Sequence, residues 1–158
     1  MSNEWDEKTE LINQGIILEH KNILSNAKKN QDNIKIMETL LSLRLNALQT
    51  NPDFRKDFID ELIKTDVLFI KENQNNYFIN ELLDIHSYQI RHSILTVLSI
   101  ISSTIEGVNY LLTHNFDILT KVIEIMKGTE DGQVLQRFCI SILNKISIKE
   151  DSIQIYLK

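Results

Sequence analysis

Cysteine is almost missing from this chain: Cys139 stands alone among 158 residues. No intrachain disulfide can form, and no thiol cluster exists to hold zinc or an iron–sulfur centre, which fits a reducing compartment. Proline occurs once and glycine four times, so the punctuation that hairpins and glycine-rich phosphate loops need is scarce. Cationic charge is also short, with 17 Lys and Arg against 22 Asp and Glu, a formal net charge of −5. Such a chain has no general attraction to phosphate backbones or anionic membranes, so nucleic acid is not an expected partner. The longest nearly apolar run, Ile94 to Ile101, is interrupted by Thr96 and Ser99, far short of the ~18 residues of a membrane span. The first ten residues carry Glu4, Asp6, Glu7 and Glu10 against Lys8, the wrong charge for a secretory or mitochondrial leader. The expected location is cytoplasmic.

Aliphatic residues are abundant instead, with 25 Ile and 20 Leu in a chain that is 42% hydrophobic and long enough for one domain. Isoleucine alone suits strands, so periodicity decides. The positions that line one face of a 3.6-residue helix are filled by Leu135, Phe138, Cys139, Ile142, Leu143 and Ile146. All but Ser93 are filled again by Ile90, Ile94, Val97, Leu98 and Ile101, and all but Arg44 by Met37, Leu40, Leu41, Leu45 and Leu48. The second and first of these stripes lie 45 residues apart, and the offset also places Leu95 on Ile140 and Ser102 on Ser147. The Met37 stripe precedes the Ile90 stripe by 53 residues, an excess that the polar run 71–77 absorbs as an enlarged loop. Helical repeats of ~40–47 residues are the signature of HEAT and armadillo arrays.

Shorter helices fill the gaps. Asn51-Pro52-Asp53 reads as an N-cap followed by Pro, opening a helix with Phe54, Phe58, Ile59 and Leu62. Asp66 reads as the cap of a following helix through Val67 and Ile70, and Ser87 as the cap of the Ile90 helix. Val108, Leu111 and Leu112 form one short helix, and Ile118, Val122, Ile125 and Met126 another, with Asn115 between them and Gly128 and Gly132 bracketing the next turn. The expected organisation is a single all-α domain, an armadillo/HEAT-like right-handed α-solenoid of about three repeats plus a partial fourth. Its units are an N-terminal capping unit over 8–50, a repeat over 51–104 with its insertion at 71–77, a repeat over 105–149, and the start of another over 150–158. Within the last, Ile155, Tyr156 and Leu157 begin a helix with nothing after it, so they are expected either to continue into further chain or to dock on another protein.

A family resemblance rests on particular residues. Ile140-Ser141-Ile142-Leu143-Asn144-Lys145-Ile146-Ser147 resembles the third helix of an armadillo repeat, with Asn144 where that helix often carries Asn. The runs Glu106-Gly107-Val108-Asn109-Tyr110-Leu111-Leu112, Asn115 to Leu119, and Leu143 to Ile148 resemble the ciliary basal-body family that joins a LisH motif to armadillo repeats. That match covers about residues 89–158. Val108 stands where the family has Arg, Lys149-Glu150 replaces a basic pair, and residues 1–40 carry no LisH pattern. The resemblance implies a protein-interaction scaffold with ciliary or microtubule-associated partners at a cilium, basal body or the cytoskeleton. The alternative is a regulatory armadillo module that binds a small GTPase or a kinase, resembling the formin regulatory region or a kinase-binding armadillo scaffold.

Chemistry-bearing groups are sparse. His20, His86, His92 and His114 do not share helical spacing, and Cys139 sits on an apolar stripe as a buried thiol would. Asp60-Glu61 and Glu130-Asp131 are adjacent, which on a helix sends the carboxylates to different faces. Neither an enzyme, a cofactor nor a metal is expected. The candidate partner-binding residues are Ser99 and Asn144, one 45-residue period apart on the long helices, with Ile155, Tyr156 and Leu157. Armadillo proteins hold extended peptides with ladders of Asn at such places, and Ser99 breaks the ladder here. Lys21, Lys28, Lys29 and Lys35 form a modest basic segment that a solvated turn accounts for, the alternative being contact with an acidic surface such as a tubulin tail.

Overall fold

The computed structural model describes residues 7–72, 78–112, 117–128 and 133–149. Among them are eight α-helices, α1 (Glu7–Lys29), α2 (Asn33–Gln49), α3 (Arg55–Thr65), α4 (Phe78–Asp84), α5 (Tyr88–Ile101), α6 (Ile105–Leu112), α7 (Asp117–Gly128) and α8 (Val134–Lys149), and no strand. The all-α expectation holds. Caps were legible where a short polar side chain precedes an apolar run: the Asn51 side chain accepts from the Asp53 amide at 3.0 Å, ahead of a 3-10 turn over Pro52–Phe54 that leads into α3. Ser87 Oγ accepts from the Ile90 amide at 3.4 Å. Asp32 does the same for Lys35 at the start of α2, at 3.1 Å. Gly128 is the last residue of α7, while Asn115, Gly132 and the whole of 150–158 lie outside the described residues.

Helices α2, α5 and α8 lie side by side with α5 in the middle. Around this row, α1 packs on α2, α4 on α5 and α7 on α8, while α3 touches α1 and α6, and α4 touches α7. The seam of the row is apolar: Ile90, Ile94, Val97, Leu98 and Ile101 of α5 and Leu135, Cys139, Ile142 and Ile146 of α8 are all buried, with Phe138 and Leu143 half-buried at its margin. Buried hydroxyls on α5 satisfy themselves locally. Ser93 Oγ donates to the Ile90 carbonyl and Thr96 Oγ1 to the Ser93 carbonyl, each at 2.7 Å, so small polar residues sit in the core without stranded donors.

α2 departs from the expected stripe. Its buried face is Ile36, Thr39, Leu40, Leu43 and Ala47, whereas Leu45 and Leu48 are exposed and Met37 and Leu41 half-buried. The buried positions Ile36, Thr39, Leu40, Leu43 and Ala47 match Ile90, Ser93, Ile94, Val97 and Ile101, each 54 residues later, so the register is one residue longer than the stripe at Met37 implied. The cause is that α2 is apolar on two opposite faces. Periodicity finds both and cannot rank them.

The second departure is at Asp66, which caps no following helix. It closes α3 instead, in the left-handed region at φ 55°, and the chain then turns back through Phe69, also left-handed at φ 58°. Its carboxylate organises the turn: Oδ1 accepts from the Ile70 amide at 2.9 Å, and Oδ2 accepts from the Lys71 and Glu72 amides at 3.0 and 3.1 Å. Tyr110 of α6 donates its hydroxyl to Oδ1 at 2.6 Å and accepts from the Leu68 amide at 3.2 Å. Burial, and then this bond to Asp66, push the phenol well above the usual tyrosine range. Four donors on one buried carboxylate offset the strain of two left-handed side chains. Of the expected loop 71–77, Lys71 and Glu72 belong to this turn, and 73–77 lie outside the described residues.

Candidate functional site

The outward side of α2 is the most distinctive surface. Ile34, Met37, Leu41, Leu45 and Leu48 are spaced by three or four residues, which gathers them within about 80° of the helix wheel. They lie opposite the buried face, and Ile34, Leu45 and Leu48 are 67%, 55% and 46% exposed. An aromatic string joins α5 to α8. Tyr88 and His92 of α5 stack at 5.8 Å between ring centroids, and His92 meets Phe138 of α8 edge-on at 5.5 Å. Partial burial, and then the nearby Arg44 guanidinium of α2, hold the His92 imidazole below its usual range.

Ser99 and Asn144 occupy neighbouring helices, and the register found above places Leu45 at the same point on α2. Asn144 is exposed, but Ser99 is only 8% exposed. Lys145 lies over it, donating to the Ser99 carbonyl at 2.9 Å and contacting its hydroxyl at 3.0 Å. The row therefore runs Leu45, Ser99, Asn144 and offers an aliphatic group, a lysine-covered serine and one amide. Ile155, Tyr156 and Leu157 lie outside the described residues.

Two lysines of the basic segment, Lys21 and Lys28, are engaged within the fold, while Lys29 and Lys35 are exposed. Lys21 Nζ donates to the Thr65 carbonyl at 2.8 Å and pairs with Glu72, and Lys28 Nζ sits 5.5 Å from the Phe69 ring centroid and 5.7 Å from that of Phe78. His86 lines a cavity of about 280 Å³ together with Arg91, Glu124 and the ion pair of Lys121 and Asp84. Cys139 is fully buried, and burial pushes its thiol up to about 11. His114 lies outside the described residues, among which no group of three or more His, Cys, Asp or Glu is placed to hold a metal ion.

Sequence reasoning missed two arrangements. The Asp66–Tyr110 contact joins residues 44 apart and leaves no local trace. The other is His20, which sits between α1 and α2 with Nδ1 2.7 Å from the Ile16 carbonyl and Nε2 2.8 Å from Ser42 Oγ. Its only sequence signal is that Glu19 and His20 interrupt the apolar pattern of the first helix. No helix among the described residues is long and apolar enough to cross a membrane. Comparison with family models, with curated proteins and with solved structures finds no match.

Proposed function

We propose that this chain is a protein-interaction module of the armadillo kind, a right-handed α-solenoid that receives its partner along the outward face of α2. The solenoid reading is supported by the side-by-side order α2, α5, α8, by the offsets of 54 and 45 residues between their buried faces, and by the packing of α1 on α2, α4 on α5 and α7 on α8. The observation that carries the functional reading is the stripe of Ile34, Met37, Leu41, Leu45 and Leu48 on a helix that already has a complete buried face. A contiguous apolar surface of this kind marks an interaction site. Its i, i+3, i+7 spacing suits an amphipathic helix laid alongside, with aliphatic anchors at matching intervals. Covering the exposed parts of Ile34, Leu45 and Leu48 supplies about 1 kcal/mol each, enough to hold a partner only if the rest of the seam also closes.

The lysine lying over Ser99 argues against capture of an extended peptide by an amide ladder. The ciliary setting rests on the resemblance at Glu106–Leu112 and Leu143–Ile148, and localisation of the tagged protein tests it separately. For the module itself, a photo-crosslinking residue at Leu45 should trap one partner that the same residue at Glu124 does not. Leu45→Ser with Leu48→Ser should abolish recovery of that partner while leaving helicity and melting temperature unchanged. Equal recovery by the wild type and the double variant refutes the assignment of the surface.

A further inference from the structure

The flank of α2 that faces α1 holds a second arrangement, unrelated to the apolar stripe. His20 Nδ1 lies 2.7 Å from the Ile16 carbonyl oxygen, which can only accept, so in the neutral ring Nδ1 carries the proton. The lone pair is then on Nε2, 2.8 Å from Ser42 Oγ, and the serine hydroxyl donates to it. This is the division of labour of a nucleophile and its general base: a serine whose proton already points at an imidazole, and an imidazole fixed in one tautomer by an acceptor behind it. Here a main-chain carbonyl takes the orienting part that a carboxylate usually plays. Ser42 Oγ spends its hydrogen bond on another helix, in contrast to Thr39 one turn earlier, whose hydroxyl donates back to the Lys35 carbonyl at 2.7 Å.

The pair opens on a surface cavity of about 240 Å³, lined besides by Ile23, Lys35, Glu38 and Thr39. Lys35 brings the cavity's one ammonium group, where it can stabilise negative charge developing on a carbonyl oxygen. Glu38 disfavours an anionic substrate, and Ile23 supplies an apolar wall for a short acyl chain. We propose that Ser42 is a nucleophile activated by His20, and that the site accepts small uncharged carboxylic esters. In the first step Ser42 Oγ bonds to the acyl carbon while its proton passes to His20 Nε2. The carbon–alkoxide bond breaks, and the alkoxide leaves as alcohol by taking that proton. A water molecule then gives a proton to Nε2 as its oxygen bonds to the acyl carbon; the acyl carbon–Oγ bond breaks, Nε2 returns the proton to Oγ, and the carboxylic acid leaves with Ser42 restored.

The test uses the full chain and an alkyl fluorophosphonate, which phosphonylates activated serines. Intact mass and peptide mapping should show one adduct, on Ser42, and p-nitrophenyl acetate should give a burst of nitrophenolate. His20→Gln should slow labelling by roughly 100-fold, the lower range for loss of a positioned general base, with circular dichroism confirming that the helices are retained. Failure of the wild-type chain to form an adduct at excess probe overturns the proposal, and that result depends on no variant folding. An adduct mapped to another residue, or a folded His20→Gln chain labelled at the wild-type rate, overturns it equally.

Discussion

Replacing Tyr110 by Phe tests the tie between α6 and the turn after α3 while leaving the ring and its packing in place. The hydroxyl it removes is the fourth donor to the Asp66 carboxylate and the acceptor for the Leu68 amide, in a residue that is 2% exposed. A hydrogen bond to a charged group contributes about 1.5–3 kcal/mol, and a buried amide left without an acceptor costs about 1–3 kcal/mol. The two share one oxygen and do not simply add, so the expected loss is about 2–4 kcal/mol. For a chain of 158 residues this lowers the melting temperature by roughly 4–16 °C. Urea unfolding should give the same difference with an unchanged slope, and Asp66→Asn combined with Tyr110→Phe should cost less than the two singles together. The phenol's raised pKa has its own signature. The buried neutral form contributes stability that is intact below the unfolded value of about 10 and is lost as pH climbs above it. Tyr110→Phe should flatten that alkaline decline. A melting temperature within about 1 °C of the wild type at pH 7 would refute the account.

Gly107→Ala should prevent folding or cost several kcal/mol, as severe overpacking does, because a Cβ there collides with the Ile101 carbonyl where α6 starts close against the end of α5; circular dichroism and expression of soluble protein check it. Cys139 should react with a disulfide reagent at pH 8 only as fast as the fold opens. Since its thiol is raised to about 11, the stability tied to it is present below the ordinary thiol value of about 8.5 and is lost as pH rises through 11. His92 should titrate by NMR below 6.5, with stability present above that value and declining as pH falls through the depressed one. Arg44→Gln should move the midpoint back up.

Which parts of this fold could be read from the residues follows from how many faces each helix buries. α8 has one apolar stripe, and α5 has a dense one, so the 3.6-residue pattern found both with their 45-residue offset. The short helices α6 and α7 were legible because Val108, Leu111, Leu112, Ile118 and Val122 all turn into the core. α2 was misread by one residue because its outward face is as aliphatic as its inward one, and that same ambiguity is now the candidate interaction surface. Asp66 was misread because an aspartate that opens a helix and one that closes a helix look alike until the backbone φ is known. Phe69 gave no hint of a left-handed turn, since a bulky aromatic side chain is disfavoured there and only the carboxylate beside it makes the conformation tolerable. Ser42 and His20 are separated by 22 residues and two helices, so no local spacing joins them.

The enclosure of α5 has a dynamic consequence. From Ser93 to Ser99 no residue faces solvent, because α2 and α8 cover its two flanks and α4 lies against it. Its amide protons can reach water only when both neighbouring long helices detach, so they should exchange with deuterium last, at the rate of global unfolding. The exposed first turn of α1 should exchange orders of magnitude sooner, making the middle helix the kinetic anchor of the described fold.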